Sequence, residues 1–168
     1  MRSAPRKWAG VSQAALRRYS ERMRRSLCIA LMVMAGTCAA DSFVVQPKEL
    51  AAEMAAHRDA VVVLQVGPNV LYRSKHISGA IYAGPANRPG GLELLRAVAA
   101  KLPRDGQIVL YCGCCPWDHC PNIRPALESM RQMGFAHVRM LYVPDNFKAD
   151  WIDQGYPVEE GTAGRSPN

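Results

Sequence analysis

The chain has 168 residues, a formal charge of +7 and six cysteines. The charge is local: residues 1–25 hold eight Lys/Arg against one Glu, while residues 26–168 hold thirteen of each sign. A balanced domain gives no electrostatic reason to bind nucleic acid, and the residues after Ala40 suffice for one domain with a proper core. In chain order, residues 27–40 form an apolar run after Arg24-Arg25 that closes on small residues. This has the form of a secretory signal ending at Ala40, too short for a comfortable membrane span. Residues 1–40 therefore read as a leader with a signal peptide, whose true start is Met1 or Met23. The expected product is periplasmic or secreted, with no membrane contact after cleavage. Pro47 opens a helical segment to about His57. Ala60–Val66 reads as a buried strand, followed by a polar loop and a short strand around Ala80–Tyr82. Leu92–Leu102 has helical spacing. Gln107–Tyr111 is a strand, Ile123–Met133 a helix stopped at Gly134, and His137–Leu141 a strand. Phe147–Gln154 is a last short helix, and residues 161–168 are a tail expected to be disordered. Strands alternating with helices predict an α/β domain with a parallel sheet over residues 41–160.

Four cysteines fall in nine residues, Cys112-Gly113-Cys114-Cys115-Pro116-Trp117-Asp118-His119-Cys120. Cysteines kept for packing are usually scattered. A thiol at a strand tip facing a helix start is placed to become a thiolate, because free N–H groups there stabilise the anion. Disulfides inside so short a loop would constrain little of the unfolded chain. The cluster points to sulfur, redox or metal chemistry.

Several ordered motifs then resemble the rhodanese-like sulfurtransferase domain, over residues 44–159. His76-Ile77-Ser78-Gly79-Ala80 is similar to the family's His-Ile-Pro-Gly-Ala, with Tyr72 where an aromatic is usual. Ile108-Val109-Leu110-Tyr111-Cys112 resembles the strand that ends in the nucleophilic cysteine. Gly134-Phe135-Ala136-His137-Val138-Arg139-Met140-Leu141 is similar to the Gly-aromatic-x-x-Val-x-x-Leu return strand, and Trp151 to Val158 resembles the C-terminal Trp-x-x-x-Gly-aromatic-Pro-Val. Three departures stand out. Gln65-Val66-Gly67 replaces Asp-Val-Arg, the active-site loop is lengthened to Asn122 with three extra cysteines, and Pro144-Asp145-Asn146 replaces Gly-Gly. The resemblance is closest to exported members with a multi-cysteine loop. It implies a single α/β domain with a central parallel sheet flanked by helices.

The resemblance also implies sulfur transfer through a persulfide on Cys112, with Cys115 or Cys120 as a resolving thiol. Gly113, Trp117 and Arg124 are then the candidate substrate contacts. Partners would be a small sulfur donor, a thiol acceptor or a thiol-bearing protein, and no cofactor is required. Two other chemistries stay open. Cys112, Cys114, Cys115, Cys120 and His119 are soft ligands suited to copper or zinc. Cys112 to Cys115 is also a Cys-x-x-Cys dithiol, capable of disulfide exchange. Asn122 is a candidate cap for the following helix. His76 reads as a loop-holding residue, and His57 and His137 as surface residues.

Overall fold

The computed structural model of the chain describes residues 43–56 and 61–161. The leader, its cleavage site, Met23, His57 and residues 162–168 lie outside the described residues.

Runs of β-branched and apolar residues build the centre. Val61–Gln65 (β2) and Gln107–Tyr111 (β5) pair in parallel over their full length, from Val61 opposite Gln107 to Gln65 opposite Tyr111. Val138–Leu141 (β6) pairs with the other side of β5, and Val44–Val45 (β1) pairs with β6. Ile81–Tyr82 (β4) closes the opposite edge against β2. The sheet has five parallel strands in the order β1-β6-β5-β2-β4. Its order reverses between β5 and β2, and ligand crevices in open α/β sheets form beyond the carboxyl ends of strands at such a point.

Side chains alternate across the sheet, so β5 feeds two cores. Ile108, Leu110 and, just past the strand, Cys112 face one cluster. Pro89–Ala99 (α3) and Ile123–Gln132 (α4) cover it with Leu95, Ala99, Ile123, Ala126 and Met130. Val109 and Tyr111 face the other, under Pro47–Ala56 (α1) with Leu50, and under Phe147 and Trp151. Each fully buried aliphatic side chain contributes about 1.5–3 kcal/mol, so both faces are needed.

The central strands and helices α1 and α4 stand where the sequence predicts them. Other elements differ. The polar loop after β2 contains a helix, Asn69–Ser74 (α2). The helix expected at Leu92–Leu102 starts and stops three residues earlier, because Pro89 suits its first turn. The last short helix is a single wide turn, Lys148–Ile152. His76–Ile77 (β3) and Val158–Glu159 (β7) form a separate antiparallel pair, which ties the His-Ile motif to the C-terminal motif. The N–H of Gly161, the first residue of the expected tail, donates to Arg73 O at 3.1 Å.

Candidate functional site

Cys112 follows β5 directly, at the carboxyl edge where the strand order reverses, and is 3 % exposed. Gly67 stands beside it, just past the end of neighbouring β2. A Cβ at Gly67 would lie 2.6 Å from the Cys112 carbonyl oxygen and 2.7 Å from its sulfur. Only glycine leaves the sulfur room there. Gln65 donates from Nε2 to the same carbonyl at 3.1 Å. The two departures from Asp-Val-Arg thus meet at Cys112: a neutral amide holds its backbone, and a missing side chain makes space for its sulfur. Gly113 has φ +79, and its backbone passes close to Phe147, where a Cβ would meet the Phe147 Cβ at 3.1 Å. The chain can leave the strand this sharply because residue 113 has no side chain.

The loop folds back so that three sulfur atoms converge. Cys112 and Cys114 Sγ are 3.0 Å apart, Cys114 and Cys120 Sγ 4.0 Å, and all three lie within 4.8 Å of one another. Cys115 Sγ is 3.0 Å from that of Cys114. Cys120 is buried beside Cys112, while Cys114 is exposed. Asn122 completes the group. Its Oδ1 accepts from the Asn87 N–H at 3.0 Å, which fixes the amide and turns Nδ2 toward Cys112 Sγ at 3.3 Å. The expected helix cap is not made by this side chain. The amide serves the sulfur instead, because Asn122 already has helical backbone angles and is buried under the loop.

The helix start acts on a different thiol from the one the sequence suggests. Cys120 is held down to about 5, first by a hydrogen bond from the Cys112 thiol and then by the backbone N–H groups of Asn122 and Ile123, against the opposing effect of burial. Cys112 is pushed well up, mainly because it donates to Cys120 and is buried. Cys120 lies only a few residues before α4, within reach of its free N–H groups, whereas Cys112 lies behind it. Burial and the neighbouring thiols also push Cys115 up.

The remaining candidates separate. Trp117 packs against the core beside Cys120, donates its N–H to Val143 O at 2.9 Å and lies 6.0 Å from the Tyr142 ring. Its three-residue helical turn, Trp117–His119, carries the chain from Cys115 to Cys120. His119 points away: its side chain is 81 % exposed, 2.9 Å from Asp118. It is not part of the sulfur group. Arg124 is exposed on α4. A cavity of about 410 Å³ is lined by Gly113, Tyr111, Phe147, Lys75 and Lys148 among others, and by Cys112. None of the groups around the Cys112 sulfur (Gly67, Cys114, Cys120, Asn122) lines it. Sequence reasoning missed Gly67 and the sulfur-facing role of Asn122. The available signal was a glycine and an asparagine at the carboxyl edge of the two central strands' loops. His76 is structural, as expected. It is buried, stacks on Tyr72 at 3.9 Å and donates from Nδ1 to Tyr72 O at 2.8 Å.

No protein-family model and no curated protein matches this chain. Solved structures do. The solution structure of the rhodanese-like domain of an Anabaena protein superposes with a TM-score of 0.54 at 21 % identity, over 76 % of this chain and 86 % of that one. A crystal structure of the same Anabaena protein gives 0.56 at 22 % identity, over 72 % and 96 %. A Bacillus halodurans protein gives 0.56 at 18 % identity, over 84 % and 86 %. The fold of this chain is rhodanese-like, an α/β domain with a multi-cysteine loop at the end of its central strand.

Proposed function

We propose that the protein is a sulfurtransferase that carries sulfane sulfur as a persulfide on Cys112. The observation that supports this most is the place of that cysteine. It follows the central strand of a rhodanese-like sheet at the strand-order reversal, with the buried Cys120 beside it and an amide donor on its sulfur. In the resting pair Cys120 bears the charge and Cys112 the proton. A donor R–S–S⁻ meets Cys112. The Cys112 sulfur bonds to the sulfane sulfur, the donor's S–S bond breaks and R–S⁻ leaves, while the Cys112 proton passes to Cys120. Cys120 is then the base of the loading step. Asn122 Nδ2 steadies negative charge on the Cys112 sulfur. Gly67 leaves the space in which that sulfur sits.

A metal reading has one observation in its favour. The sulfur atoms of Cys112, Cys114 and Cys120 lie within 4.8 Å of one another, a soft donor set that fits Cu(I) or Zn(II). His119 adds nothing to it, being turned to solvent. Single-turnover labelling with a sulfane donor, with metal analysis of the same samples, separates the two. Cys112→Ser should abolish labelling while Cys115→Ser keeps it. Full labelling of Cys112→Ser overturns the persulfide reading. Tightly held metal in the parent, lost equally in Cys112→Ser, Cys114→Ser and Cys120→Ser, replaces it with the metal one.

A further inference from the structure

Cys112 is the least accessible place from which to hand sulfur to another protein. It is 3 % exposed, and its sulfur is enclosed by Gly67, Asn122, Cys114 and Cys120. Cys120 is 4 % exposed. The exposed cysteine whose sulfur touches that of Cys112 is Cys114, 3.0 Å away. On the far side of Cys114, again at 3.0 Å, stands the half-buried Cys115.

Building on the persulfide reading, we propose that Cys114 is the delivery thiol, taking the sulfane sulfur from buried Cys112 and passing it to the thiol of a protein partner. An S–S bond is about 2.05 Å long, so a sulfane sulfur on Cys112 lies within reach of a Cys114 sulfur that already touches Cys112. In the relay step Cys114 Sγ bonds to the sulfane sulfur and the Cys112–sulfane bond breaks. The Cys114 proton goes to the departing Cys112 sulfur, beside the Asn122 amide. The negative charge stays on the sulfane sulfur, and nothing is oxidised or reduced. A partner thiol then bonds to the same sulfur, Cys114 leaves, and the partner's proton returns to Cys114. Both steps are thiol exchange on one sulfur atom, which needs contact and thiolate character but no further reagent. The partner need touch only the exposed end of the loop.

The two kinds of acceptor distinguish this route from direct transfer. Purified protein is loaded with inorganic polysulfide, freed of excess donor, and discharged either to cyanide or to reduced thioredoxin as a folded protein thiol. Cyanide is small enough to enter where a protein is not. Cys114→Ser should load on Cys112 and discharge to cyanide within about twofold of the parent, yet lose about tenfold or more of its rate to thioredoxin. Tandem mass spectrometry of the loaded parent should find the extra sulfur on Cys114 as well as on Cys112. Thioredoxin discharge by Cys114→Ser at the parental rate overturns the relay and leaves Cys112 as direct donor. Failure of Cys114→Ser to load also overturns it, because Cys114 then belongs to loading. Failure of the parent itself to load sinks the persulfide reading and the relay together.

Discussion

Tyr111 and Cys112 are neighbours in sequence and face opposite sides of the sheet, and they show two uses of a buried polar group. On the Tyr111 side each group is locked. The phenol oxygen accepts the Ile77 N–H at 3.1 Å, and burial keeps its proton firmly in place. Phe147 and Trp151 pack around it, and the Trp151 indole donates to Pro157 O at 3.0 Å. On the Cys112 side one thiol, Cys120, is held low and its neighbour Cys112 is pushed up, and three sulfurs lie within 4.8 Å of one another. Both regions are buried in a core and both are polar. The difference lies in the partners: carbonyls, N–H groups and rings fix one arrangement, whereas thiols at the mouth of a helix shift one another. The motifs of the first region tie the β3–β7 pair together, and the second region gathers the cysteines.

Adding one methyl group should break the second region most severely. Gly67→Ala puts a Cβ within 2.7 Å of the Cys112 sulfur and 2.6 Å of its carbonyl, which is backbone and cannot swing aside. Overpacking of this kind costs about 1–3 kcal/mol. Sulfane labelling should fall by about tenfold or more, because the nucleophile is displaced. Chemical denaturation and single-turnover labelling measure the two losses. An alanine variant that labels normally would mean that the sulfur does not occupy this space.

Tyr111→Phe tests the locked side. The phenol is lost while the Ile77 N–H stays buried, and an orphaned donor costs about 1–3 kcal/mol. Labelling should be unchanged, since the hydroxyl is on the other face from the sulfurs. Urea midpoints and labelling rates should therefore move separately in this variant and together in Gly67→Ala.

The two shifted thiols predict a pH profile. Cys120 stays ionised in the folded chain down to about pH 5. An unfolded thiol keeps its proton up to ~8.5. Between these values the unfolded chain binds the extra proton, so stability should rise with pH across that window and lose the Cys120 contribution as pH falls through about 5. Cys112 is shifted the other way, so its effect appears above the unfolded thiol value, where stability should fall again. Cys120→Ser should flatten the lower limb and, by removing the main cause of the Cys112 shift, weaken the upper one. Denaturation midpoints across this range read both limbs directly.

The fold was legible because its signals are local. Gln107–Tyr111 reads as a strand from five residues, and the runs His76 to Ala80 and Trp151 to Val158 carry the resemblance, although their pairing in a separate two-stranded sheet is not readable from either run. The cysteine loop was legible as a cluster but not in its geometry. Which thiol is held low depends on how the turn at Trp117–His119 brings Cys120 to the start of α4, a three-dimensional fact that spacing does not carry. Asn122 looked like a cap because it precedes a helix. Its real partner, the Asn87 N–H, is 35 positions away. Helix α2 was hidden in a polar segment that buries no residue completely.

The smallest expected effect concerns His119, and it is informative because it should be zero. In the sequence this histidine sits beside Cys120 and completes a five-member soft-ligand set. In the fold its ring lies on the solvent side of a short turn, hydrogen bonded at Nδ1 to its own neighbour Asp118. It is not part of the sulfur group, and the N–H groups that hold Cys120 low are those of Asn122 and Ile123, beyond this turn. His119→Ala should therefore leave sulfane labelling, the pH profile and any metal content of the protein unchanged. Cys120→Ser, one position later, should alter the pH profile. If the alanine variant instead loses labelling or metal, the loop rearranges on loading and His119 belongs to the site. Equal behaviour of parent and variant confines the chemistry to the three sulfurs, their amide donor and the glycine that makes room for them.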